Sequence, residues 1–322
     1  MNTKSILLAL TLLFIAQSKS LAQDPVFTQW ENMPLYFNPA LTGNFDGLLR
    51  CRAKYRNQWA SLLKNNAYHT SVVSADYKFA KGSVRKISIG AFGVLDNAGS
   101  ANYSNKSINL STSVIQNLGN PDHSRHSIAL GLNVGLANRK IDLDNLQWPG
   151  GPGSMPTTDM NEKVNFADIS AGLLWQYKSN THFSFQLGSA LLHVNRPNVS
   201  FFKNGVSKLY HRLNLHGNVE VPLTHKFSVV PSFLFWNQGP SDQLLFGFNN
   251  KWYFKSLHPN FAQLGFFAKT TDNYNGRAIN VYVLSATVQL RSFLLGFSVD
   301  RFQAIESNAY ELSVGYTFGM YN

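Results

Sequence analysis

From residue 47 to residue 318 the chain is written largely in a period of two. The pattern is cleanest over 49–56, where Leu49, Cys51, Ala53 and Tyr55 alternate with Arg50, Arg52, Lys54 and Arg56. Successive side chains of a strand point to opposite faces, so this stretch predicts a strand with one apolar and one cationic face. The alternation returns where Ile128, Leu130, Leu132, Val134 and Leu136 interleave with Ala129, Gly131, Asn133, Gly135 and Ala137. It returns again where Tyr310, Leu312, Val314, Tyr316 and Phe318 interleave with Glu311, Ser313, Gly315 and Thr317. Fourteen such segments can be counted, from 47–59 to 309–318, separated by clusters of Gly, Asn, Asp and Pro. The two poorest are 86–95 and 278–290, which alternate weakly.

Strands with large apolar side chains on one face and small or polar ones on the other suit a barrel whose outside meets lipid. A sandwich would need large apolar residues on the inner faces of both sheets. Connection lengths point the same way. Counted from the first strand, the two longest connections, 139–166 and 193–208, are both odd-numbered, and no even one exceeds about seven residues. Outer-membrane barrels combine short periplasmic turns with longer extracellular loops, and a soluble sandwich has no reason to sort its loops by parity. The predicted fold is therefore an all-β transmembrane barrel of about fourteen antiparallel strands over 47–322. Aromatic residues near segment ends (Tyr55, Trp59, Trp175, Tyr177, Trp236, Trp252, Phe254, Tyr316 and Phe318) are expected to form interface girdles.

The N-terminus changes the compartment. Lys4, the apolar run 6–16 and Ser20-Leu21-Ala22 read as a secretory leader over 1–22. No later apolar run is long enough for a spanning helix, which leaves strands as the only way across a bilayer. Residues 23–46, with Pro25, Pro34, Pro39 and Gly43, form an irregular periplasmic lead-in, expected to be ordered against the periplasmic mouth or inside the barrel. The formal charge of +11 falls to +9 once Lys4 and Lys19 leave with the leader. In an exported protein that charge points to lipid headgroups, lipopolysaccharide or an acidic partner, and not to nucleic acid. The single cysteine, Cys51, excludes a disulfide framework.

Candidate chemistry is sparse. His123 with His126, and His211 with His216, lack a third ligand at diagnostic spacing. Asp142 and Asp144 lack the rest of a calcium loop, and neither a Gly-x-Ser-x-Gly elbow nor a phosphate-binding loop occurs. No catalytic, cofactor or metal residues are expected, and the chain reads as a non-enzyme. The strongest polar constellation is the cationic face Arg50, Arg52, Lys54 and Arg56. It serves either as a barrel wall balanced by acids such as Asp76, Asp300 or Glu311, or as a dock for an anionic segment.

Three motifs in one order carry a family resemblance. Gln23-Asp24-Pro25-x-Phe27-x-Gln29 is followed by Pro34-Leu35-Tyr36-x-Asn38-Pro39-Ala40-x-Thr42-Gly43, and then by Tyr55-Arg56-Asn57-Gln58-Trp59. This series resembles the start of the PorP/SprF family of type IX secretion system membrane proteins from Bacteroidota. The resemblance makes Gln29, Tyr36, Asn38, Pro39, Thr42, Gly43, Tyr55, Asn57, Gln58 and Trp59 family-motif positions. It implies an outer-membrane component of type IX secretion and gliding motility. Such a component works with the other secretion proteins and assists the export or attachment of a secreted surface adhesin. The rival reading from the fold alone is a porin or a transporter for hydrophobic solutes.

Overall fold

The computed structural model describes residues 24–81, 84–99, 101–118, 124–145, 159–181, 183–254, 260–272, 278–303 and 307–319. The leader lies outside the described residues, as does His123. Fourteen strands follow one another: β1 Leu49–Gln58, β2 Tyr68–Lys81, β3 Arg85–Ala98, β4 Tyr103–Leu118, β5 Ser124–Lys140, β6 Lys163–Ser179 and β7 Ser184–Leu192. They continue as β8 Arg212–Thr224, β9 Phe227–Gln238, β10 Ser241–Tyr253, β11 Phe261–Asp272, β12 Ala278–Leu290, β13 Phe293–Phe302 and β14 Ser307–Phe318. Each pairs antiparallel with its sequence neighbours and β14 pairs with β1, closing the sheet into a barrel. Closure gives every strand a partner on both sides, which an open sheet in lipid could not do.

The period of two becomes two surfaces. On β4 and β5 the side chains of Ile108, Leu110, Leu130, Leu132, Val134 and Leu136 point outward, with Ile108 73% exposed. Their neighbours Asn109, Ser111, Ser113 and Asn133 point inward and are buried. No helix is long and apolar enough to cross a membrane among the described residues. The weakly alternating segments are regular strands as well. Neighbouring ladders hold β3 and β12 in place regardless of their own pattern. Both ends of the barrel sheet, Leu49 and Phe318, lie side by side at the end that carries the even-numbered connections. We call this the turn end and the opposite one the loop end. One odd connection is shorter than the pattern suggests: only residues 239 and 240 separate β9 from β10, with Gly239 at a positive φ of 61°.

Residues 24–46 take the second of the two courses open to them and run inside the barrel. They contain short helical turns at Trp30–Asn32, Pro34–Phe37 and Pro39–Leu41. Asp24 sits at the loop end beside Gln238, the last residue of β9. Phe45 meets Lys78 at the turn end, from which the chain enters β1. The lumen core is built from this plug: Phe27, Met33, Leu35 and Phe37 pack with wall residues Val72, Leu174, Leu234 and Val281. Two aromatics depart from the girdle pattern: Trp59 packs against this lumen core, and so does Trp236. Trp236 is 3% exposed and points into this core, because its position in β9 has inward parity.

Candidate functional site: the plug and its sockets

The register of β1 puts its cations opposite acids. Arg50 is the cross-strand partner of Asp76 on β2, and Arg56 that of Glu311 on β14. The side chains pair accordingly, Arg50 with Asp76 at 2.7 Å and Arg56 with Glu311. Lys54 reaches diagonally to Glu311 at 2.9 Å, and Arg56 also pairs with Asp300 on β13 at 3.0 Å. Lys269 on β11 completes the cluster, 2.8 Å from Asp300. All of these charges are buried. Buried ions are costly unless their remaining hydrogen-bonding capacity is filled, and here the plug fills it. The Thr28 backbone N–H donates to Glu311 at 2.7 Å, and that of Gln29 donates to the other oxygen at 3.1 Å. The Thr28 hydroxyl donates to Asp300 at 2.8 Å, and Lys54 donates to the Gln29 carbonyl at 2.6 Å. Arg52, the fourth cation of the face, stands apart. It meets only the Cys51 carbonyl and the Thr317 hydroxyl and has no salt bridge among the described residues.

A second socket relies mainly on neutral groups, although the Arg50 guanidinium donates to the Leu41 carbonyl within it. Asn38 donates through Nδ2 to the carbonyls of Leu173 at 3.1 Å and Ser189 at 3.2 Å, while its Oδ1 accepts from the Ala40 N–H. Thr42 is hydrogen-bonded to Ser111 at 2.7 Å, and its carbonyl accepts from Ser113. The wall has given up its side chains to let this stretch approach. A Cβ on Gly131 would lie 2.2 Å from the Ala40 nitrogen and the Pro39 carbonyl carbon, and one on Gly172 would lie 2.0 Å from Asn38 Oδ1. Gly43 then turns the plug at φ +70°, and its N–H donates to Asp76 at 2.7 Å.

At the loop end Asp24 is held by His193, which follows β7. His193 Nε2 lies 2.5 Å from Asp24, and its Nδ1 lies 2.9 Å from Asp168 on β6. Burial alone would lower the imidazole pKa, but the two carboxylates outweigh it and raise it to about 9. Burial likewise raises the Asp24 carboxyl, yet His193 and Arg212 overcome that and hold it well below the usual carboxylate range. Arg212 also donates toward the Tyr36 hydroxyl, which itself donates to the Pro25 carbonyl at 2.6 Å.

The plug holds six of the ten family-motif positions: Gln29, Tyr36, Asn38, Pro39, Thr42 and Gly43. The other four lie on or just beyond β1. Tyr55 faces outward and bonds His69, Gln58 accepts from Arg56, and Trp59 packs on Tyr68 and Phe302 at the loop end. Asn57 sits between them, its Oδ1 without a hydrogen-bond partner among the described residues. Lys269, His193, Arg212 and Asp168 escaped the sequence reading because each lies on a strand or loop distant in sequence from the residue it serves. Of the histidines considered as ligands, His211 bonds the His193 carbonyl and His216 bonds Asn38. Among the described residues no group of His, Cys, Asp or Glu is arranged to hold a metal ion.

Solved structures with similar architecture are outer-membrane barrels. The CymD monoaromatic hydrocarbon channel matches with a TM-score of 0.54 and 11% identity, over 93% of this chain and 95% of that one. A Pseudomonas aeruginosa FadL homologue matches with a TM-score of 0.52 and 8% identity, over 90% and 94%. CdiB from Acinetobacter baumannii matches with a TM-score of 0.46 and 7% identity over 83% of this chain, which spans 60% of CdiB's length. At such identities the likeness shows the fold alone. No curated protein sequence matches the chain. The motifs that line the plug and open the first strand fall within a match to one family that extends over residues 19–316, and the chain belongs to that family, the type IX secretion system membrane proteins PorP/SprF.

Proposed function

We propose that this protein is a non-enzymatic outer-membrane component of type IX secretion and gliding motility. On this reading it is exported by a leader over 1–22 and assists the export or surface attachment of a secreted partner such as an adhesin. Its outward apolar face meets outer-membrane lipid and lipopolysaccharide. The turn end faces the periplasm and the loop end the exterior, the usual sense for such barrels. The observation that carries the reading is family membership across nearly the whole chain. The packed lumen supports it further, because a barrel filled by its own residues 24–46 is suited to binding partners at its ends more than to passing solutes.

Deleting the protein is expected to remove one or a few secreted proteins from the cell surface while general permeability hardly changes. An unaltered surface proteome would overturn the proposal. Purified protein in planar bilayers is expected to carry no steady conductance. A stable open-channel current would favour the porin or hydrophobic-solute transporter instead.

A further inference from the structure

Toward the loop end the plug does not fill the lumen. A cavity remains between Leu35, Tyr36 and Pro39 of the plug and the inward side chains of β3 to β6. It exists because β5 turns small residues inward here. Ala137 lines the space, and a Cβ on Gly135 would lie 2.1 Å from Asn109 Oδ1. The volume open to the centre of a water molecule is about 70 Å³. One water needs roughly 10–15 Å³ by that measure, so about five would fit.

Three polar atoms of its lining residues have no hydrogen-bond partner among the described residues: Asn105 Oδ1, Asn133 Oδ1 and Arg139 Nε. Asn133 and Arg139 are each only 4% exposed. A row of side chains holds Asn133 in place. Its Nδ2 donates to Asn109 Oδ1 at 3.2 Å, and Asn109 Nδ2 donates to Ser107 Oγ at 3.0 Å. The Arg139 guanidinium lies 5.4 Å from the centre of the Phe166 ring. Buried polar atoms are paired in folded proteins, with protein, water or a ligand. Here the ligand would donate to two amide oxygens and accept from one guanidinium.

We propose that this cavity binds one neutral pyranose, a single sugar unit of a glycan. A hydroxyl both donates and accepts, and a pyranose carries several around one ring, while its C–H faces suit the apolar wall of Phe92 and Phe166. Neutrality follows from the neighbours. A carboxylate drawn to Arg139 would enter beside Asp24 and Asp168, and a cation drawn to those acids would meet Arg139 and His193. Space for about five waters suits one ring and leaves the rest of a longer chain projecting from the loop end. That the loop end faces the exterior, where glycans would be met, rests on the function proposed above. The binding itself does not.

The test uses the full chain in an amine-oxide detergent, whose headgroup is not a sugar. Methyl glucoside, methyl galactoside and methyl mannoside are the probes, read by saturation-transfer NMR. At least one is expected to bind with a Kd of about 1 mM, the scale of a few net hydrogen bonds. Ala137→Trp, which fills the cavity and keeps all three polar groups, is expected to abolish binding. Asn105→Ala should weaken it by about threefold to tenfold, the worth of one neutral hydrogen bond. Leu136→Ala, on the outward face of β5, should leave it unchanged. Heat-dependent gel migration checks that each variant is folded, and if Ala137→Trp is not, Asn105→Ala decides. No binding of any of the three glycosides would leave the cavity to water and overturn the proposal. So would undiminished binding in the cavity variants, or a preference for glucuronate, which would make Arg139 an anion site. Binding that appears only once 146–158, outside the described residues, is replaced by a short Gly-Ser linker would make the chain's own connection the occupant and overturn it too. A deletion strain with normal surface proteins, by contrast, would sink the secretion role and leave this binding result standing.

Discussion

The plug is held in two ways that share almost no chemistry. At Thr28 and Gln29 it is fastened by charge: backbone N–H groups and a hydroxyl complete the coordination of Glu311 and Asp300, which are also neutralised by Lys54, Arg56 and Lys269. Between Asn38 and Gly43 it is fastened mainly by fit, with neutral hydrogen bonds to β4, β6 and β7, glycines in the wall where the backbone comes closest, and the Arg50–Asp76 pair bonding its end at Leu41 and Gly43. The difference teaches what each socket can tolerate. The charged socket depends on the balance of ions and survives small changes of shape. The neutral one leans on charge at its Leu41–Gly43 end alone, through Arg50 and Asp76, and is intolerant of a single added carbon where a wall glycine meets it.

The charged socket should therefore give the largest loss when one ion is removed. Asp300→Asn takes away the acid shared by Lys269, Arg56 and Thr28 and leaves Lys269 buried with no other salt-bridge partner among the described residues. Stranding a buried charge costs about 3–5 kcal/mol, and chemical denaturation in detergent should show a loss of that order. Removing both members, as in D300L/K269M, should cost markedly less, since apolar replacement of a buried pair is often close to neutral. If the double variant is no more stable than Asp300→Asn, the charges are not acting as a mutually compensating set.

In the neutral socket the matching experiment is Gly131→Ala. The new Cβ would lie 2.2 Å from plug backbone atoms, which cannot rotate away as a side-chain tip could. Overpacking of this kind costs about 1–3 kcal/mol, and here part of it should appear as a displaced plug. Proteolysis within 24–46 should then accelerate while heat-dependent gel migration of the barrel persists. Gly99, at the loop end, has nothing within 4 Å of its would-be Cβ, but its φ of +74° makes substitution there strained for a different reason. The cleaner control is an outward position such as Leu130→Ala, which is exposed on the outer face and should leave plug accessibility unchanged.

These two sockets were unequally legible in the sequence. The outward face of the wall was plain, because lipid demands a large apolar side chain at every second position and nothing local competes with that demand. The cationic face of β1 was equally plain, as were three acids that could balance it. The alternation left undecided whether the inward polar positions face water or another piece of chain, because Ser111 and Asn133 suit either. Only the Pro and Gly spacing over 34–43 pointed to an ordered segment there. Trp236 reads as an interface aromatic by its place near a strand end, and its inward parity is fixed only by the register of β9 with β8 and β10. His193 carries no local signal at all: its partners are 25 and 169 positions away.

That last contact supplies the smallest effect and a third kind of fastening, one set by pH. In the folded protein the His193 pKa is about 9 against 6.5 for a free imidazole, so its stabilising contribution is complete below pH 6.5 and is lost as pH rises through 9. Asp24 runs the other way: its pKa is lowered from 3.8, so its share is present above that value and fades only as pH falls below it. The latch should therefore hold across neutral pH and loosen in mild alkali. Because it ties down one end of a segment that the two sockets still grip, the loosening should be local and global unfolding should hardly change. Amide hydrogen exchange at 24–28, corrected for its intrinsic pH dependence, should lose protection between pH 7 and 10 while the amides of 38–42 keep theirs. In His193→Gln the same amides should exchange faster at pH 6 and show no further alkaline step. An alkaline step that survives this substitution would place the titrating group elsewhere.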